Sequence, residues 1–266
     1  MSSQILFSHQ DLSELHKAIT LLEAKTITAR LAEVNKHAVL PAIESDTDYA
    51  FSYLHNAVQH ALAYAINHVL LAPKAFESFS THSTFTAISG AIGGSFGFAG
   101  SVLELPLAIR LLLQGIRQIA ADHELPLSDL ATHKACIEVF AMNGAPAQEH
   151  DCYHSIYYLN RAELNKAKTT DKAVATQPLG SMCATFLYLV AQRFSQTLKK
   201  KISLQSQLNM SRVTEEQVNN VFISHYLSMA QGHFMIMRLE KKYGHTEVKQ
   251  AYFHIHHANA ENYSAP

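Results

Sequence analysis

Apolar side chains recur along this chain with the period of an α-helix. In residues 11–39 they fall at every third or fourth position, and Asp11 with Glu14 fits a capping pair at the start. Pro41 closes this segment, because the residue before a proline disfavours the helical conformation. A second helix is predicted over residues 45–72, where three polar side chains offer an N-cap.

Five later segments show the same period and predict helices over residues 105–121, 128–142, 178–201, 214–243 and 246–252. The segment from Thr214 has the clearest signals, since Gln217 completes a capping box and Gly244 supplies a left-handed stop. Residues 165–177 are polar and are interpreted as a mobile surface connection. No segment alternates with the period of a strand. The sequence therefore predicts one all-α domain over residues 1–266, a multi-helix bundle.

A glycine-rich segment interrupts this pattern in the middle of the chain. Between Glu77 and Glu104 no side chain carries a formal charge, apart from any protonated His82. Glycine costs about 1 kcal/mol relative to alanine in an exposed helix, so a cluster of glycines needs a reason. Pairs spaced four apart give a helix a flat face that another backbone can approach closely. The segment contains Gly90, Gly93, Gly94, Gly97 and Gly100, with Phe96 and Phe98 between them.

We interpret this segment and the helix after it as a central helical hairpin. Pro106 fits the first turn of the second arm, and Glu104 suits the positive end of its dipole. Glu104, Arg110 and Arg117 form a polar stripe, on which the arginines pair either with acids of the fold or with lipid phosphates. The hairpin contacts a membrane or partner, or else it forms a tight crossing inside a soluble core.

The length of the hairpin argues against a transmembrane span. A helix needs about 20 predominantly apolar residues to cross a bilayer, and residues 87–103 fall short of that length. An arginine near the centre of a spanning helix costs roughly 2.5–3.5 kcal/mol. We therefore expect shallow insertion or burial within the protein.

The glycine-rich segment lacks the known nucleotide-binding motifs. It contains no Gly-x-Gly, no strand precedes it, and no Gly-Lys-Ser/Thr ending makes it a phosphate loop. No cofactor is predicted.

The composition of the chain limits which partners and which cellular compartment are expected. The net charge of -1 and the scattered basic residues exclude a nucleic-acid footprint. The three cysteines, Cys136, Cys152 and Cys183, are widely spaced and read as buried small side chains in a reducing compartment. The amino terminus lacks the basic start and apolar run of a signal peptide. We expect a cytoplasmic protein, free or peripheral at the cytoplasmic membrane, of undetermined oligomeric state.

Histidine clusters raise the question of a metal. His150 and His154 would share one helical face, but the Glu of His-Glu-x-x-His is absent and no distant ligand is evident. The same holds for the cluster at residues 254–257, and clusters arise readily by chance among 17 histidines. No metal site is predicted. His225 lies on the apolar stripe of its helix, where a core histidine bonded to a neighbouring helix is the expected role.

The run Lys199-Lys200-Lys201 follows an apolar helix and allows two interpretations. Lysines near an anionic leaflet contribute about 1 kcal/mol each. The alternative is a solvated helix end in a favourable dipole position.

Two motifs together resemble the EcsC family of bacterial proteins. The first is the glycine-rich segment 89–100 leading to Leu105-Pro106 and then Ile119-Ala120. The second lies near the carboxy terminus and consists of Phe234, Arg238, Leu239, Glu240, Tyr243 and Gly244. The resemblance covers roughly residues 80–255. The chain departs from the pattern at Glu104, where Asp is common, and at residues 122–124, where a Gly-Tyr-Asp turn is usual.

The resemblance implies a helical fold but no reaction. The family is named after a protein encoded beside an ABC transporter linked to secretion, and its biochemical activity is not established. No catalytic residue is carried over. The partners that the resemblance implies are a membrane surface or a membrane protein such as an ABC transporter.

Two functional hypotheses follow. The first is a non-enzymatic, membrane-associated accessory or interaction protein whose glycine-rich hairpin contacts lipid or a membrane partner. The second is a histidine-containing hydrolase, or a protein that binds a metal or small ligand. Its pocket would be formed by His150 with His154, or by His225 with Arg238 and Glu240.

Overall fold

The computed structural model describes residues 7–34, 48–71, 98–144, 155–170, 184–206 and 215–264. Within these ranges the chain forms nine α-helices and no strand, which confirms the all-α prediction. The helices are α1 His9–Leu22, α2 Ile27–Val34, α3 Asp48–Ala65, α4 Phe98–Asp122, α5 Leu130–Glu138, α6 Ile156–Thr170, α7 Ala184–Ser206, α8 Glu215–Tyr243 and α9 His245–Ser264. A π-helical turn, Ile66–Leu70, follows α3, and a 3-10 turn, Val139–Ala141, follows α5.

Helix α8 is the centre of the bundle and packs against α1, α2, α4, α7 and α9. Its buried side chains recur at the predicted helical spacing and include Val218, Phe222, Met229, Ile236 and Leu239. The predicted stop is also confirmed, because Gly244 adopts φ +98° directly after the helix ends. The long apolar stripe of one segment thus becomes the surface on which the other helices assemble.

An aromatic cluster fills the core beside α8. The rings of Phe140 and Phe194 meet edge to face at 5.1 Å, and Phe222 meets Tyr226 in the same way at 5.1 Å. Phe194 also lies 5.4 Å from Tyr226 and links the two pairs. Tilted and edge-on contacts of this kind add about 0.5–1.5 kcal/mol per pair beyond the area that they bury.

Helices α1 and α8 cross closely at Gly232. A Cβ atom on this residue would stand 2.7 Å from the Cγ of Leu22 and 3.1 Å from the carbonyl oxygen of Ala18. A real Cβ does not approach neighbours so closely. The absence of a side chain at this position therefore sets the distance between the two helices.

The first predicted helix is two helices. Ser8, rather than Asp11, is the N-cap of α1, and its hydroxyl accepts a hydrogen bond of 3.1 Å from the Asp11 amide. The chain leaves the helical conformation after Leu22 and starts again at Ile27, where the Thr26 hydroxyl accepts from the Ala29 amide.

A distant segment holds this break in place. The amide of Ile27 donates to the carbonyl of Asn143 at 3.3 Å. Gly144, with φ +74°, packs so closely on the turn that a Cβ there would stand 2.4 Å from the carbonyl oxygen of Ala24. The interruption is therefore stabilised by residues far away in the sequence.

Helix α4 begins earlier than predicted. The prediction placed Pro106 in the first turn of a new helix, but the helix starts at Phe98 and carries Pro106 inside it. An internal proline removes one backbone hydrogen bond and costs about 3 kcal/mol in an isolated helix. Packing of α4 along α3 and α8 offsets that cost. Residues 72–97, and with them most of the predicted hairpin, lie outside the described residues.

Helix α6 corrects the prediction of a mobile connection. The chain is helical as far as Thr170, and residues 171–177 lie outside the described part. Leu164 and Ala167 of α6 are buried, and the helix packs against α7. Helices α7 and α9 continue past their predicted ends to Ser206 and Ser264.

Candidate functional site

The carboxy-terminal motif joins α8 to two other helices. Phe234 and Leu239 are fully buried. Arg238 donates from Nε to Glu14 of α1 at 3.1 Å, and its terminal nitrogen pairs with the same carboxylate. The Tyr243 hydroxyl donates to Asp11 of α1 at 2.8 Å. These motif residues therefore connect helices, a role that the sequence pattern alone did not reveal.

Asp11 accepts several of these bonds at once. Besides Tyr243, Lys242 donates to its Oδ2 at 2.6 Å and the Ser8 hydroxyl donates at 2.5 Å. The hydrogen bond from Lys242, followed by those from Ser8 and Tyr243, holds the pKa of Asp11 well below its usual range. The carboxylate is therefore charged in the folded protein at any ordinary pH and anchors the start of α1 on the end of α8.

Glu240 forms the second anchor, to α6. Arg161 donates to its two carboxylate oxygens at 2.7 and 2.8 Å, so the pair is bidentate. The Tyr158 hydroxyl lies 3.3 Å from the same carboxylate, and His245 Nδ1 lies 2.8 Å from it. The left-handed turn at Gly244 brings His245 back over Glu240. Only 16% of the Arg161 side chain and 10% of the Glu240 side chain remain exposed.

A buried chain of polar groups crosses the bundle nearby. The Tyr157 hydroxyl and His233 Nδ1 are 2.9 Å apart, and His233 Nε2 lies 3.8 Å from Glu138 Oε2. A carboxylate, an imidazole and a phenol in this order can move or hold a proton. However, all three residues are at most 4% exposed. We therefore assign these three polar groups a structural role, in which they connect α5, α6 and α8. Burial also raises the pKa of Tyr157, which keeps the phenol neutral.

Glu23 forms a similar hub at the end of α1. It accepts hydrogen bonds from the hydroxyls of Ser155 at 2.5 Å and Tyr252 at 2.8 Å, and His256 lies 3.9 Å away. The Tyr252 ring stacks at 5.9 Å on Tyr157 of the neighbouring chain of polar groups. Sequence reasoning assigned no functional role to either cluster, because each draws its members from helices that are far apart in the chain.

His225 has the expected role of a core histidine. It is fully buried, and its Nε2 donates to the carbonyl of Met142 at 3.2 Å. Burial lowers the pKa of His225 to about 4. Arg238 lies 13 positions further along the same helix, which corresponds to about 20 Å. The structure therefore does not bring His225 together with Arg238 and Glu240 in one pocket.

Most residues of the predicted hairpin and the first metal candidate lie outside the described residues. Gly90, Gly93, Gly94, Phe96 and Gly97 belong to this group, as do His150 and His154. Phe98, Gly100 and Glu104 lie in α4, where the structure describes the backbone. Within the described ranges, no three His, Cys, Asp or Glu side chains stand close enough to hold a metal ion.

The polar stripe points partly into the protein. Arg110 and Arg117 are both half-buried on α4. Burial lowers the pKa of Arg117, and the nearby Cys136 opposes that effect. Cys136 is itself fully buried, which confirms for this cysteine the prediction of a buried small side chain. Burial raises the pKa of its thiol to about 12, so the thiol is unreactive.

The lysine run is not a solvated helix end. Helix α7 continues to Ser206, so residues 199–201 lie inside the helix. Lys201 is 3% exposed, and its Nζ lies 5.3 Å from the centroid of the Phe222 ring. This cation–π contact directs one of the three lysines into the core.

Helix α3 presents an exposed face without formal charges, which we call the α3 face. It comprises Tyr53, Asn56, His60 and Tyr64 of α3 and His68 of the π-helical turn that follows, spaced three or four residues apart. Tyr53 is 54% exposed and Tyr64 is 42% exposed. The Tyr64 ring stacks on His68 at 4.0 Å, and His68 Nδ1 lies 2.8 Å from the Tyr64 carbonyl oxygen.

The α3 face belongs to a longer part of the chain with few charges. No Lys, Arg, Asp or Glu occurs between Asp48 and Lys74. Helix α3 packs along α4. Residues 72–97, which include most of the charge-free segment 78–103, link the two helices in the chain.

No family model, curated protein or solved structure matches this chain. None of the helices in the described part of the chain is both long and apolar enough to cross a bilayer.

Proposed function

We propose that this protein is a non-enzymatic, EcsC-like accessory protein that binds peripherally to the cytoplasmic membrane surface. The observation that carries the proposal is the α3 face, an exposed and uncharged helix face that bears Tyr53 and Tyr64. Tyrosine suits a membrane interface because its ring is apolar and its hydroxyl is polar. A soluble helix ordinarily carries charged side chains on such a face.

The position of the α3 face in the chain adds support. The helix pair α3 and α4 flanks the glycine-rich segment, in which residues 78–103 carry no formal charge. Charged groups oppose transfer into the interface, so their joint absence from helix and segment favours contact with lipid. Through the family resemblance, the proposed role is linked to ABC transport and secretion.

Vesicle flotation tests the proposal. The protein should float with vesicles of neutral phosphatidylcholine and equally with vesicles containing phosphatidylglycerol. Binding should persist in about 1 M salt, where the Debye length is about 3 Å, because it does not depend on charge. Tyr53→Lys combined with Tyr64→Lys should reduce the floated fraction, since two ammonium groups then face the interface.

A matched variant controls for the lysines themselves. Leu130 and Leu159 are also exposed, at 38% and 46%, on α5 and α6. Leu130→Lys combined with Leu159→Lys adds the same charge elsewhere and should float like the wild type. A wild-type protein that stays in solution with both kinds of vesicle and with native membranes would contradict the proposal. Flotation with native membranes alone would indicate a membrane protein as the partner.

A further inference from the structure

A polar pocket of about 270 Å³ lies between α6, α7 and the segment that follows the 3-10 turn. One face of α7 forms a wall, because Arg193, Gln196, Thr197 and Lys200 are three or four residues apart. Asn160 of α6 and Asn143 complete the lining. The volume holds roughly nine water molecules at their liquid volume, which is the size of a small metabolite.

The pocket is rich in hydrogen-bond donors and carries two cations. The Arg193 guanidinium is held in place from α6, where Nη1 donates to the Asn160 Oδ1 at 3.1 Å. This bond leaves the two amide hydrogens of Asn160 as further donors. Lys200 adds an ammonium group with three donors. Glu163, which lies outside the lining, pairs with Arg193 and offsets part of this positive charge. An anionic ligand with several acceptor oxygens matches the donors, as a phosphate monoester does.

Asn143 adds a requirement of its own. Its Oδ1 is buried, and within the described part of the chain no donor reaches it. The backbone at Asn143 is fixed, because its carbonyl oxygen accepts a hydrogen bond from the Ile27 amide and the adjoining Gly144 packs on the α1–α2 turn. Rotation of the Asn143 side-chain amide by 180° exchanges its oxygen and its nitrogen, so this position offers either an acceptor or a donor. A hydroxyl group satisfies either orientation because it both donates and accepts.

We propose that this pocket binds a small, soluble phosphate monoester whose phosphate lies between Arg193 and Lys200 and whose hydroxyl group bonds to Asn143. The site is independent of the α3 face and of the membrane role proposed above. The pocket has room for the phosphate and a short polyol, and a lipid with the same headgroup would have to leave its acyl chains outside it. The ligand of this proposal is a free metabolite, and the vesicle experiment below tests a lipid headgroup as the other source of the same chemistry.

Calorimetric titration with glycerol 3-phosphate, inorganic phosphate and glycerol tests this assignment. Glycerol 3-phosphate should bind in saturable fashion at one site, inorganic phosphate more weakly, and glycerol not at all. Lys200→Met should weaken binding of glycerol 3-phosphate by at least about tenfold, since a hydrogen bond to a charged group is lost. Lys199→Met is the matched control on the same helix, and it should leave binding unchanged.

Two further variants separate a ligand site from a structural role. Glu163 pairs with Arg193 and is 61% exposed, so it competes with an incoming anion for the guanidinium. Glu163→Gln should therefore tighten binding, whereas a loss of binding in this variant would overturn the proposal. Asn143→Ala should weaken glycerol 3-phosphate but not inorganic phosphate.

Three other results would also overturn the assignment. The first is no saturable binding of glycerol 3-phosphate, and the second is an equal loss in Lys199→Met and Lys200→Met. The third is binding to phosphatidic acid vesicles without binding to free glycerol 3-phosphate. Thermal melting of each variant shows whether it is folded, so a misfolded variant is not mistaken for loss of the site. Failure of vesicle flotation would leave this proposal intact, because no residue of the pocket belongs to the α3 face.

Discussion

Replacing Glu240 by glutamine tests how far the carboxy-terminal motif contributes to stability. The substitution keeps the shape of the side chain but removes its charge and one of the two oxygens that accept from Arg161. Those hydrogen bonds measure 2.7 and 2.8 Å, and 16% and 10% of the two side chains are exposed. The guanidinium would remain largely buried beside a neutral amide that accepts only one of its bonds.

The expected cost follows from this geometry. Removing one member of a fully buried ion pair costs about 3–5 kcal/mol, and the loss of one charged hydrogen bond costs about 1.5–3 kcal/mol. Because some water reaches both side chains, we expect Glu240→Gln to lower the free energy of unfolding by about 2–3 kcal/mol. A double-mutant cycle with Arg161→Met should give a coupling energy of about 2 kcal/mol.

Urea unfolding followed by circular dichroism measures this difference, with the midpoint shifting and the slope unchanged. The exposed pair Lys25–Glu33, with side chains 61% and 56% exposed, is the control. Glu33→Gln should cost less than about 1 kcal/mol, as surface pairs do. If Glu240→Gln lowers the free energy of unfolding by no more than Glu33→Gln does, burial does not strengthen the Arg161–Glu240 pair and the reasoning is refuted.

Three further predictions concern the close crossing, the turn and the core histidine. Gly232→Ala should destabilise the protein by about 1–3 kcal/mol in urea unfolding, because its Cβ would push α1 away from α8; an unchanged midpoint would contradict this. Gly244→Ala should cost more than about 1 kcal/mol by the same measurement, because alanine is strained at φ +98°. The pKa of His225 in the folded protein is about 4, below its ordinary value of 6.5. Below about pH 6.5 the unfolded protein therefore binds a proton that the folded protein does not, and the free energy of unfolding falls as the pH drops toward 4. His225→Gln should therefore lose about 2 kcal/mol less than wild type between about pH 7 and pH 4.5, and equal losses would argue against the shift.

The predictability of each helix depended on whether its signals were local. Helix α8 was predicted at both ends because Gln217 and Gly244 act within their own segment. The break between α1 and α2 was missed, since it depends on Asn143 and Gly144 more than a hundred residues away. Helix α6 was missed for another reason: its polar second half obscured the apolar positions Leu164 and Ala167.

The candidate sites show the same division. The low charge of residues 49–73 is visible in the sequence, but only packing shows that Tyr53 and Tyr64 face outwards. The α7 wall of the polar pocket follows helical spacing, which the sequence contains. Asn143, which also lines the pocket, comes from a different segment of the chain, so no local sequence pattern predicts the pocket.

The sequence by itself determined the helical class, the central long helix with its stop, the buried state of Cys136 and His225, and the absence of charge around the glycines. These properties depend on periodicity, turn chemistry and composition, which act over a few residues. The tertiary structure alone decided that Arg238, Glu240 and Tyr243 connect helices, that Lys201 lies in the core, and that α1 ends at Leu22. Each of these depends on a partner brought close by folding, and the identity of such a partner is not contained in the local pattern.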